Sequence, residues 1–249
     1  MNIKYIFFII VFSSFSHASV NVSLFENGTA TGSLALPDSS RLSDLLHDER
    51  LPPDIYWRSA QLTNMERMNA SEAERKSLVS ELISLKESWN SVQRMDLAAS
   101  TQKLIDDLSR GSVSGHFNLE IDPDLSRIDK ASNPLLKGDY ILFFSARKPY
   151  LNLIGLTESS NQQGLYPGVG IHEYWQGYHL LPGADPAFIY MIQPTGKVDV
   201  VPVAIWNRLH REPMAGATLF IGFDPDILPP DHKSINARIA KLMTNRIPQ

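Results

Sequence analysis

The chain runs twice through the same order of local signals, and this repetition constrains its fold more than any single motif does. In the first run, Val20-Asn21-Val22-Ser23-Leu24 alternates apolar and polar residues, the period of a strand with one buried face. Asn27-Gly28 follows, a pair favoured in two-residue hairpin turns because both positions there need positive φ. A second strand-like stretch covers 29–36, and Leu42, Leu45 and Leu46 then recur at helical spacing. In the later run, Leu151-Asn152-Leu153 alternates, 159–164 is a Ser/Asn/Gly turn, Leu165-Tyr166 resumes, and 171–177 is a short helix. The second halves also correspond. Phe117, Leu119 and Ile121 alternate with His116, Asn118 and Glu120, a polar turn covers 122–124, and 137–144 leads from Gly138 into an apolar strand. Its later counterpart is a strand at 188–192, a turn at Pro194-Thr195-Gly196, a return strand at 198–204 and a last strand within 215–221. Hairpin, helix, then further strands is the order of a small β-grasp unit, a sheet with one helix across one face. The expected fold class is therefore α+β, with two such units in tandem.

The first run is the longer, and its excess falls at 59–110, a strongly helical stretch without strand signals. Ser71 and Glu74 have capping-box spacing. Leu78, Leu82, Leu85 and Trp89 lie on one helical face, Leu97, Leu104 and Leu108 continue a stripe, and Gly111 stands at the stop. This predicts a helical hairpin inserted in the first unit, or one long helix, because no Gly or Pro marks a turn near 94–96. At the far end, Pro229-Pro230 breaks the chain, Asp231 can cap, and Ile235, Ile239, Leu242 and Met243 form an apolar stripe. Such an amphipathic helix either docks on its own domain or meets a membrane surface or a partner. Residues 1–18 combine Lys4, an apolar run and Ser16-His17-Ala18, the pattern of a cleavable secretory signal. The expected division is thus 1–18 signal, 19–148 first unit, 149–228 second unit and 229–249 terminal helix.

Composition excludes several chemistries. There is no Cys, which removes disulfide scaffolds, Cys-ligated metals and thiol nucleophiles. A formal net charge of −4 disfavours nucleic acid. His172-Glu173 lacks the second His four residues on that a zinc-protease helix needs, and Gly111-Ser112-Val113-Ser114-Gly115 puts Val113 where a nucleophile elbow needs Ser. No catalytic residue, metal or cofactor is expected. Asp122, Asp124, Asp129 and Asp139 could supply a carboxylate pair for glycan hydrolysis, or serve as turn and cap acids. Tyr166, Tyr174, Trp175 and Tyr178 could stack on sugars or pack a core. Trp206-Asn207-Arg208 with His210 and Arg211, directly after a strand, suits an anionic or hydroxyl-rich ligand, or a buried strand-end corner. Arg127, between Asp124 and Asp129, reads either as a pocket base or as half of a structural ion pair.

Leu153-Ile154-Gly155 through Leu165-Tyr166-Pro167-Gly168 resembles the soluble ligand-binding β-grasp (SLBB-like) pattern of polysaccharide export proteins. Val201-Pro202-Val203-Ala204-Ile205-Trp206-Asn207-Arg208, His210, Glu212-Pro213 and Phe220-Ile221-Gly222-Phe223 resemble the C-terminal half of the GfcC-like capsule-biosynthesis family. Ile121-Asp122-Pro123-Asp124, Arg127, Asp129, Ser132-Asn133-Pro134 and Gly138-Asp139-Tyr140 are similar to its middle, and Arg246-Ile247-Pro248 to its end. The resemblance implies a bacterial periplasmic protein of a group 4, or O-antigen, capsule system, with two β-grasp units similar to those of Wza-type export channels. His116 stands where the family pattern has Arg. The expected role is a non-catalytic, monomeric accessory of polysaccharide assembly or export. Its expected partners are the polysaccharide or its export channel, with an outer-membrane or protein contact through the terminal helix. The alternative is a periplasmic polysaccharide-modifying or trimming enzyme that uses an Asp pair. The expected binding residues are Trp206, Asn207, Arg208, His210, Arg127, Asp139 and His116.

Overall fold

Asn27 and Gly28 adopt φ of 50° and 78°, and the turn they make folds β1 (Val20–Glu26) back onto β2 (Thr29–Leu36). The structure, a computed structural model, describes residues 19–206 and 209–248, so the signal read over 1–18 lies outside the described residues. After β2 the chain forms α1 (Leu42–Leu46), β3 (Gln61–Thr63), α2 (Met65–Ser91), α3 (Met95–Arg110), α4 (Pro123–Ile128) and β4 (Asp139–Phe144). The first sheet has the order β2-β1-β4-β3, with β1 and β4 parallel at its centre. The second half begins with β5 (Tyr150–Gly155), β6 (Gln162–Gly164), α5 (Ile171–Trp175) and β7 (Phe188–Ile192). It continues with β8 (Val198–Pro202), β9 (Thr218–Ile221) and α6 (Ile235–Met243). Its sheet runs β6-β5-β9-β7-β8, again with the first and last strands, β5 and β9, parallel at the centre. The repetition seen in the sequence is therefore a repetition of sheet plan, in an α+β protein with two sheets.

Three expectations about local structure need correction. The alternation at 116–121 predicts a strand, but the third strand of the first sheet is Gln61–Thr63, ahead of the helices, where it pairs antiparallel with β4. Phe117, Leu119 and Ile121 do pack on the first core, yet the segment gives β3 a single backbone bond, from Phe117 N to Leu62 O at 2.9 Å. Alternation reports one-sided burial, which an extended segment has with or without a ladder. The capping box at Ser71 is likewise absent. Asn64 caps α2 by accepting from Arg67 N at 3.0 Å, so Ser71 is buried inside the helix. In the second sheet, β6 lies within the stretch read as a turn, 159–164.

The hairpin expected at 59–110 is present as α2 and α3. Its turn uses neither Gly nor Pro: Gln93 takes φ 60°, Arg94 N donates to Trp89 O at 2.9 Å and Gln93 N to Asn90 O at 3.1 Å. That is a Schellman closure with a side-chain-bearing residue in the left-handed position.

The packing departs from chain order. The first core gathers side chains of the first sheet and α1. The second joins Leu78, Leu82, Leu85, Leu97, Leu104 and Leu108 of the hairpin to the second sheet and to α6. The insert of the first unit thus covers the sheet of the second. The stripe on α6, Ile235, Ile239, Leu242 and Met243, is buried there too, and Arg238 reaches back to Glu81 and Glu74 of α2. Among the described residues no helix is long and apolar enough to cross a membrane.

Candidate functional site

A cleft opens where the two units meet the chain that follows α6. From the first unit, Tyr56, Ser59, Gln61, Ser145 and Lys148 line it. From the second come Tyr150, Asn152, Gln193, Gly216 and Thr218, and from the terminal segment Met243, Thr244, Arg246, Ile247 and Pro248. The short link between β4 and β5 brings Ser145 and Tyr150 together. Gln61, buried on β3, holds the terminal segment in place: its amide nitrogen donates to Arg246 O at 3.0 Å and to Thr244 O at 3.3 Å. Its amide oxygen accepts from the Ser114 hydroxyl at 2.5 Å. Ser114 N donates to Asn245 O at 2.7 Å, Ile247 N donates to Ser112 O at 3.2 Å, and Val113 pairs with Arg246. A terminal segment that would otherwise fray is thereby tied to the first unit.

Among the described residues the lining offers phenol, amide and hydroxyl groups, with Lys148 and Arg246 as its charged side chains and no carboxylate. Burial holds the Arg246 guanidinium below its ordinary pKa, against the pull of Asp107 and Tyr150. Burial pushes the Tyr150 phenol up, partly offset by a hydrogen bond with Gln162 and by the charge of Arg246. His116 lies beside the cleft. Arg67 donates to its carbonyl at 3.3 Å and stacks 4.3 Å from the Phe117 ring. The imidazole of His116 approaches Gly196 in the β7–β8 turn, and its buried Nδ1 has no hydrogen-bond partner among the described residues. Burial, then the positive charge of Arg67, holds its pKa below the usual value, while a hydrogen bond with Asn245 opposes this.

The other expected binding residues do not converge on this cleft. Trp206 is 83% exposed on the loop after β8. Asn207 and Arg208 lie outside the described residues. His210 on the same loop pairs with Glu212 at 3.0 Å, and the loop abuts α5, where Ile171 N donates to Arg211 O. Arg127 is exposed at the end of α4, and Asp139 accepts from Asn21 at 3.0 Å, both on the first unit. Asp122 caps α4, accepting from the amides of Asp124 and Leu125, and Asp129 accepts from the backbone and hydroxyl of Ser132. The aromatic cluster packs: Tyr174 is buried, and Trp175 and Tyr178 meet edge to face at 6.2 Å, while Tyr166 is 64% exposed. Among the described residues no three His, Asp or Glu gather as metal ligands. Sequence reasoning missed Gln61, Tyr150, Lys148 and Arg246; only Arg246 had a signal, as part of the terminal Arg-Ile-Pro.

Residues 18–147 match the family described as "Capsule biosynthesis GfcC, N-terminal", and residues 159–248 match "Capsule biosynthesis GfcC C-terminal". The chain is also similar to "Uncharacterized protein YjbG" of Escherichia coli strain K12. They are 28% identical over 232 residues, which cover 93% of this chain and 92% of that protein.

Proposed function

Because the chain belongs to the GfcC capsule biosynthesis family, we propose that it is a non-catalytic accessory of capsule-type polysaccharide assembly or export. It acts as a periplasmic monomer and holds glycan in the cleft between its two units. What supports this is the cleft itself. Amide, hydroxyl and phenol groups from three segments converge there with apolar surface, the mixture a hydroxyl-rich ligand needs. The non-catalytic part is supported by the aspartates: Asp122, Asp129 and Asp139 each have a turn, cap or surface partner, and among the described residues no carboxylate lines the cleft. The periplasmic part is supported by the signal pattern of 1–18. The two sheet orders support reading both units as β-grasp. Contact with an export channel would use exposed features such as Trp206 and His210, since the α6 stripe is buried.

Deleting the gene is expected to lower surface polysaccharide while precursor synthesis continues; unchanged surface polysaccharide would overturn the proposal. Purified capsule and purified export channel, titrated side by side against the protein, separate its two modes of action. Turnover of the capsule in that assay would overturn the non-catalytic part.

A further inference from the structure

The chain carries a formal net charge of −4, yet among the described residues its cleft is lined by two cations and no acid. Long-range attraction therefore does not gather an acidic glycan onto this protein, and recognition of one has to come from local groups. Lys148 donates to Asn27 Oδ1 at 2.7 Å, a neutral acceptor, and makes no ion pair among the described residues. Arg246 is half-buried, and among the described residues no carboxylate makes an ion pair with it. The acid that acts on it from further off is Asp107, which already pairs with Lys103 at 3.0 Å and Arg110 at 2.5 Å and accepts from the Ser160 hydroxyl at 2.6 Å. The C-terminal end of α3 is also near, since a side chain at Gly111 would begin 4.0 Å from Arg246 Nε. A helix end carries only about half an elementary charge, shared here with Arg110. Arg246 is thus a partly desolvated cation with incomplete compensation among the described residues, an arrangement that an anion would complete.

Its backbone is anchored. The bridge to Val113, the bond from Gln61 to its carbonyl and the following bond from Ile247 to Ser112 fix where the guanidinium starts. Binding there requires little new ordering of the backbone. A guanidinium presents a planar fork matched to a carboxylate or phosphate. The enclosed space is about 70 Å³, well under the ~300–1,000 Å³ of sites that bury a whole small molecule. It therefore suits one charged group projecting from a sugar, with the rest of the glycan outside.

We infer that this cleft takes an acidic sugar residue, its carboxylate or phosphate received by Arg246, with Lys148 supplying a second positive charge. This rests on reading the cleft as a glycan site and adds the class of sugar. The test is an NMR titration of the full chain with sodium D-glucuronate, D-glucose 6-phosphate and D-glucose, repeated for Arg246→Gln, Arg246→Lys and Lys148→Gln. Both acidic sugars are expected to bind at least about tenfold more tightly than glucose, as charge-assisted bonds do. Arg246→Gln should erase that preference, and Arg246→Lys, with the charge but not the fork, should keep part of it. Lys148→Gln, which leaves the terminal segment's bonds intact, should weaken the acidic sugars several-fold and glucose not at all; it carries the test should Arg246→Gln melt early. Glucose binding as tightly as glucuronate overturns the inference and leaves the glycan reading standing. An acidic preference that survives both neutralising substitutions overturns it as well. Absence of saturable binding by either acidic sugar overturns it too, and purified capsule polysaccharide in the same titration then decides whether the glycan reading falls with it.

Discussion

Gln61 joins the two halves through one side chain. It donates to the carbonyls of Thr244 and Arg246 in partly buried bonds and accepts from the Ser114 hydroxyl in a buried one. Gln61→Leu keeps the volume and strands these partners. The expected loss is about 2–3 kcal/mol, read from urea unfolding, since buried unsatisfied groups cost about 1–3 kcal/mol each. His116 contributes through pH. Its pKa in the folded chain is held below the ordinary 6.5, first by burial and then by Arg67. Below 6.5 the unfolded chain binds the proton more readily, so this residue's contribution to stability falls as pH falls. His116→Gln is expected to lose less melting temperature than the wild type between about pH 7 and about pH 5. Neither role was legible in the sequence, because a Gln in a short strand and a His in an extended segment carry no pattern. The Asn27-Gly28 turn was legible, because its chemistry is complete within two residues.

Among the elements, the hairpin α2–α3 shows where pattern succeeds and where it fails. The apolar spacing of Leu78, Leu82, Leu85 and Trp89 names the buried face, because helical geometry alone fixes which residues align. Leu82→Ala is expected to cost about 2–5 kcal/mol in urea unfolding, as large-to-small changes in packed cores do. The helix start was misread at Ser71 because a capping pattern acts only where the backbone is not yet helical, and Asn64 had already started the helix. The turn was half-legible. Gln93 holds φ 60° without the freedom of glycine. Gln93→Gly is expected to stabilise the protein by about 0.5–1 kcal/mol, visible as a raised melting temperature with unchanged helix content. The strand at Gln61–Thr63 is too short for alternation to register, and β4 imposes its pairing from far along the chain.

At the scale of the molecule, the hairpin that interrupts the first unit builds the core of the second, together with α6. Truncation after Pro230 would remove Ile235, Ile239, Ala240, Leu242 and Met243, all buried. Loss of the near-UV signal of the second unit is expected, with aggregation as uncovered apolar surface meets solvent. By itself the sequence determined the two sheet-forming runs and the helical insert, because periodicity and turn chemistry are local and leave marks in neighbouring residues, while the family showed as a resemblance of particular segments such as 201–208 and 121–124. Only the tertiary structure decided that the insert covers the second sheet, that the terminal stripe is spent on packing, and that the cleft is lined by Tyr56, Gln61, Tyr150, Gln193 and Arg246. The physical reason is that apolar spacing states that a face must be buried without naming its partner. A cleft formed from segments far apart in the chain exists only once those partners are chosen.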